Sequence, residues 1–208
     1  MVRRLIGRLL KWLLVVLSGA LVLAGFAIGF LLLCTPFLEV SAMIHASRHA
    51  KYSHALECAV IAAEAPSSSS ADMFTQQLVK EWLVRHDLRS RRALSGTIQR
   101  VLLARAVDLF FSRDEILKAY LDQVFLGRNL YGVHNAAVFY FRKRDDQLNV
   151  AENALLAGLI RSPIQYSPFG SVDRATARRN LVLARMLQRR SIDRQTYDWA
   201  IAQPLTSE

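Results

Sequence analysis

Hydrophobic and polar positions divide this chain into one long apolar block followed by a series of shorter helical patterns. From Trp12 to Leu38 there is no Asp, Glu, Lys, Arg or His. At ~1.5 Å per residue a helix of that length reaches ~40 Å, against ~30 Å for the hydrocarbon core of a bilayer. The block therefore predicts a transmembrane helix with length to spare for tilt. A helix satisfies its own backbone hydrogen bonds in lipid, so a lone span can insert.

Polar residues return at Glu39, and 39–53 reads as a connector near the membrane surface. Ala55 to Ala63 then reads as a short buried helix ending at Glu64, broken by Pro66 and the serine run Ser67 to Ser70. Helical patterning resumes from Phe74 to about His86, and a basic turn occupies Arg89 to Arg92. A helix from Thr97 to Phe111 follows. Ser112-x-x-Glu115 is a capping box, in which serine and glutamate each satisfy an orphan backbone N–H. Behind it Ile116, Leu117, Tyr120, Leu121 and Val124 form an apolar stripe at helical spacing, and Gly127 is read as the helix stop. Further helices are predicted at Gly132 to Tyr140, Val150 to Ile160, Arg174 to Arg190 and Ile192 to Ala202. No segment alternates as a strand, so the expected fold class is all-α.

Charge sets the orientation. Arg3, Arg4, Arg8 and Lys11 precede the apolar block and Glu39 follows it. Short basic flanks stay cytoplasmic, so the chain is expected to enter N-in and export the rest. A cleaved signal peptide is the competing reading, but it has an apolar core of only ~7–15 residues and a small-residue cleavage site. The formal net charge is +10. Without the four N-terminal basic residues, 23 basic against 17 acidic side chains remain. That balance suits anionic partners such as phospholipid headgroups or a pyrophosphate, and export argues against nucleic acid. Cys34 lies in or beside the span and Cys58 in an apolar run, so no disulfide is expected between them. The five histidines show no metal-ligand spacing.

Several segments in order resemble the family 51 peptidoglycan glycosyltransferases. These are Thr75-Gln-Gln-Leu-Val-Lys80, Ser112 to Gly127, Gly132 to Phe141, Glu152 to Pro163, Tyr166-Ser-Pro168 and Arg178-Arg-Asn-Leu-Val-Leu183. The resemblance implies a lysozyme-like helical domain over 54–190, after a cytoplasmic tail (1–11), the span (12–38) and the connector, with a C-terminal helix and tail at 191–208. It implies lipid II, a disaccharide-peptide on undecaprenyl pyrophosphate, as substrate, and a place at the bacterial cytoplasmic membrane with the domain outside. In such a reaction a carboxylate takes the proton of the attacking hydroxyl, and cations stabilise the leaving pyrophosphate. By resemblance Glu64 is the catalytic base, and Gln76, Gln77, Lys80 and Arg161 contact the substrate. Tyr120, Arg178 and Arg179 frame the cleft. No cofactor stands out in the residues, although the family resemblance allows a divalent cation, and other cell-wall synthesis proteins are possible partners. No transpeptidase domain follows, so penicillin binding is not expected.

The chain also departs from that pattern. Only ten residues separate Glu64 from Thr75, where the family has a longer segment carrying further polar residues. Counting back from Ser112 puts Arg100 where the family carries a second glutamate, an inversion of charge. Losing a catalytic carboxylate costs ~10²–10⁴ in rate. Three readings follow: a polymerase of reduced efficiency using Glu64, a non-catalytic relative that binds lipid II or a polymerase, or a small membrane module whose basic face only holds anionic lipid. Intact Glu64, Gln76, Gln77 and Lys80 favour the first; Arg100 and the short 65–74 segment tilt the balance to the second.

Overall fold

The computed structural model describes residues 18, 19, 21, 23, 36–64, 70–86 and 94–205. The apolar block from Trp12 to Leu38 lies almost wholly outside these. Among the described residues no helix is long and apolar enough to cross a membrane. Cys34 and the basic turn at Arg89 to Arg92 also lie outside, as does most of the serine run.

The described residues form an all-α fold with no strand, only an isolated bridge between Phe125 and Tyr131. Its helices are α1 (36–47), α2 (His54–Glu64), α3 (Ser70–His86), α4 (Leu94–Phe110), α5 (Arg113–Gln123), α6 (Val133–Phe141), α7 (Val150–Arg161), α8 (Val172–Gln188) and α9 (Arg194–Ile201). Most predicted helices are present with shifted ends. Three readings change in substance. The connector is helical as far as residue 47, because Val40, Ile44 and Ser47 lie on one face and are buried. α3 begins four residues before Phe74. α5 ends at Gln123, not Gly127: Val124 turns extended, and its carbonyl accepts from the Gly132 N–H at 2.9 Å.

α7 is the centre of the packing. Every residue from Ala151 to Leu159 is buried, the signature of a helix enclosed on all sides. α2 and α8 pack on it, α9 packs on α8, and α6 joins it to α5. α3 packs on both α4 and α5, and all of these helices share one hydrophobic cluster. Caps fix the helix starts. The Ser112–Glu115 box is formed at α5, and Asn149 with Glu152 forms a second box at α7 that the sequence pattern does not make evident. Lys143 Nζ holds the buried Glu152 at 2.6 Å, so this second box is also an ion pair.

Candidate active site

α2 ends in two alanines and a glutamate, leaving its last carbonyls without helical partners. Two arginines seven residues apart on α8 supply them. Arg185 Nη1 donates to the Ala62 and Ala63 carbonyls at 3.3 and 3.0 Å, and Arg178 Nη2 donates to Ala63 at 3.3 Å. Cations at a helix C-terminus complement its dipole. Arg178 reaches this position by lying across α7, where its Nε donates to the Gly158 carbonyl at 3.4 Å. A Cβ on Gly158 would stand 3.0 Å from Arg178 Cγ, so the missing side chain is what lets the arginine pass.

Arg178 also faces Glu64. Its Nη2 stands 4.0 Å from Glu64 Oε1, with both side chains less than a tenth exposed. Oε1 is fully buried and accepts no hydrogen bond among the described residues. Burial pulls the Arg178 guanidinium below its ordinary pKa; Glu64 and Tyr166 oppose that, while the cations Arg185 and Arg161 add to it. The Tyr166 ring lies 5.5 Å from the guanidinium carbon. On another side, burial pushes the Tyr120 phenol up, helped by the carboxylates of Glu64 and Glu81. Tyr120 thus mediates between Glu64 and α3, whose Phe74 ring packs on it at 5.6 Å.

The structure gathers some of the predicted residues. Arg161 is exposed at the end of α7 and joins the Glu64–Arg178 cluster electrostatically. Gln76 and Lys80 are exposed one turn apart on α3, with Gln77 half-buried beside them. The cation set against Glu64 is Arg178. Arg100, half-buried on α4, makes no ion pair with Glu64 among the described residues. Arg179 acts away from the cluster. Its guanidinium donates to the carbonyls of Ile201, Gln203 and Pro204 and so caps α9. Arg185 and Glu81 do not stand out in the sequence. The signal for Arg185 is its seven-residue spacing from Arg178, which puts both on one side of α8.

The arrangement offers a buried carboxylate oxygen with a free lone pair beside a guanidinium cluster. The exposed member of that cluster, Arg161, can hold an anion. A divalent cation at Glu64 would meet three guanidinium groups, so the residues around it do not fit one. Among the described residues no group of three or more His, Cys, Asp or Glu could hold a metal.

The transglycosylase family model matches residues 49–187, two thirds of the chain, including every element that builds this cluster. The chain belongs to the transglycosylase family. Penicillin-binding protein 1A of Escherichia coli is 42% identical over 132 residues, which is 64% of this chain and 15% of the relative. Penicillin-binding protein 1A of Aquifex aeolicus is likewise 42% identical over 132 residues, 18% of its length. The crystal structure of penicillin-binding protein 1A from Haemophilus influenzae matches at 34% identity with a TM-score of 0.43, covering 62% of this chain and 16% of that one. The chain therefore spans less than a fifth of the length of these relatives.

Proposed function

We propose that this transglycosylase-family chain is a membrane-anchored, lysozyme-like protein of bacterial cell-wall synthesis. In this reading it binds lipid II outside the cytoplasmic membrane and polymerises it poorly or not at all. The observation that carries the reading is Glu64. Its Oε1 has no hydrogen-bond partner among the described residues and lies 4.0 Å from Arg178, with Arg161 and Arg185 close by. That pairing neutralises Glu64 and leaves Arg161, exposed at its edge, to take a pyrophosphate. Arg178 occupies Glu64 as an ion-pair partner, Arg100 replaces a second carboxylate, and the 65–74 segment is short; all three favour binding over transfer.

Support for the anchor comes from the uncharged block at 12–38 and from the chemistry beside its end. Phe37 packs on Phe110 with ring centroids 5.4 Å apart, and Leu109 and Phe110 are 82% and 72% exposed. Exposed apolar side chains at the end of a span fit a bilayer surface. Other cell-wall synthesis proteins are candidate partners in the same place.

The test is lipid II binding to the full chain in nanodiscs. Saturable binding is expected, weakened about tenfold or more by Arg161→Ala and by Lys80→Ala, as the loss of a charge-assisted contact implies. Absence of saturable binding, or indifference to both substitutions, contradicts the proposal.

A further inference from the structure

Where α1 meets α5 and the start of α6, a surface cavity of about 480 Å³ opens, within the ~300–1,000 Å³ typical of ligand clefts. Its lining takes Met43, Ala46 and Ser47 from α1 and Asp122, His134 and Asn135 from α5 and α6. Met43 and Ser47 lie five and nine residues beyond Leu38, or ~8–14 Å along a helix. Phospholipid headgroups fill the first ~5–8 Å outside the hydrocarbon of a bilayer. An anchor at 12–38 therefore brings the Met43 side of the cavity to the headgroup layer.

Among the described residues, four polar side chains of this lining keep an acceptor without a partner. Ser47 is only 5% exposed, yet its hydroxyl makes no hydrogen bond. Buried polar groups are paired in all but a few cases, so an unpaired one in a cavity wall points to a ligand. Asp122 spends one carboxylate oxygen on the Tyr52 hydroxyl and keeps the other. Burial, then the carboxylates of Asp122 and Asp145, push the Tyr52 phenol up, so it stays the donor of that pair. His134 Nδ1 meets Asp145 at 3.1 Å. A carboxylate only accepts, so Nδ1 carries the proton and Nε2 is left as an acceptor. Asn135 donates through Nδ2 to the Tyr131 carbonyl at 2.8 Å, which leaves its amide oxygen.

Among the described residues no lysine or arginine lines the cavity. Arg85 touches two lining residues and is committed to them. Its guanidinium donates to the Gln123 side chain and carbonyl at 2.5 and 3.0 Å and lies 4.2 Å over the Tyr131 ring. Phe125 packs on that ring too, with centroids 5.2 Å apart. A quaternary ammonium binds through aromatic faces, and the Tyr131 ring is taken. A carboxylate and three neutral acceptors instead suit a cation that carries N–H donors. We propose that this cavity is a socket for the primary ammonium headgroup of a membrane phospholipid, phosphatidylethanolamine. The proposal rests on the anchor proposed above and is independent of lipid II.

The test titrates the full chain in non-ionic detergent with dihexanoyl-phosphatidylethanolamine, dihexanoyl-phosphatidylcholine and phosphoethanolamine. Saturable binding of the ethanolamine lipid is expected, at least about tenfold tighter than the choline lipid, whose headgroup has no N–H. Asp122→Asn is expected to weaken the ethanolamine lipid by about 10- to 100-fold. Because Asp122 also holds Tyr52, Ser47→Ala is the second variant. It removes an unpaired hydroxyl, so the urea midpoint should hold while affinity for the ethanolamine lipid falls about two- to tenfold. Both variants should leave the choline lipid unchanged. Three results overturn the proposal: a choline lipid that binds as tightly, an ethanolamine lipid indifferent to both substitutions, or phosphoethanolamine that binds as tightly as the lipid. Flotation of the chain with phosphatidylglycerol liposomes tests the anchor separately. Flotation without ethanolamine selectivity sinks this proposal alone, whereas failure to float sinks the anchor and this proposal with it.

Discussion

Gly132 sits where the Phe125–Tyr131 bridge hands the chain to α6. Its φ is +80°, and a Cβ there would stand 2.6 Å from the Asp122 carbonyl oxygen. Substitution therefore meets both backbone strain, worth ~1–3 kcal/mol, and a clash with rigid backbone. Gly132→Ala is expected to lower stability by at least about 2 kcal/mol, measured as a fall in the urea midpoint at constant m-value. Glu115 makes a second residue-scale case. Its carboxylate accepts from the Ser112 N–H and hydroxyl and pairs with Arg48 at 2.6 Å, and these contacts hold its pKa near 2 instead of 4.5. A carboxyl with a depressed folded-state pKa contributes stability above its unfolded value and loses it as pH falls. The gap between the native chain and Glu115→Gln should thus be full at pH 6 and shrink between about pH 4.5 and pH 2. A gap that stays constant with pH would exclude this role.

At the scale of elements, the end of α2 is held from α8. Removing Arg178 leaves Glu64 buried without its counter-charge, which costs ~3–5 kcal/mol. In Glu64→Gln that penalty disappears, so Arg178→Met should cost markedly less in the Gln background than in the native one. Chemical denaturation of the four chains measures this coupling, and additive effects would show that the 4.0 Å contact carries no coupling energy. Legibility in the sequence divides along the same line. The Ser112 box and the α5 stripe are readable because their partners lie within one or two turns. α1 is hidden: its buried face is only Val40, Ile44 and Ser47, set among Glu39, Ser41 and His45, which read as surface. The end of α5 is not legible because a long-range pairing, Gly132 to Val124, ends the helix before the glycine that reads as its stop. Glu64 is legible through resemblance, but its partner is not. Arg178 lies on a helix more than a hundred residues further along the chain, and only the packing of α2 and α8 on α7 brings them together. The family's second-glutamate position points to Arg100; the fold puts a different arginine against Glu64.

On the scale of the whole molecule, three properties bear on one another. An uncharged block long enough to span a bilayer precedes the domain, the remainder is basic, and basic side chains gather where α2, α7 and α8 meet. In the proposed reading, a substrate whose lipid tail stays in the membrane and whose pyrophosphate is anionic fits all three, and the charge pairing at Glu64 favours holding it over consuming it. The most direct measurement is a lipid II polymerisation time course with the full chain in a bilayer, run beside penicillin-binding protein 1A of Escherichia coli and beside Glu64→Gln. Glycan polymer at least about a hundredfold below the relative is expected, in line with the loss of one catalytic carboxylate, with little further change in Glu64→Gln. Polymer formed at the relative's rate and abolished by Glu64→Gln would contradict it.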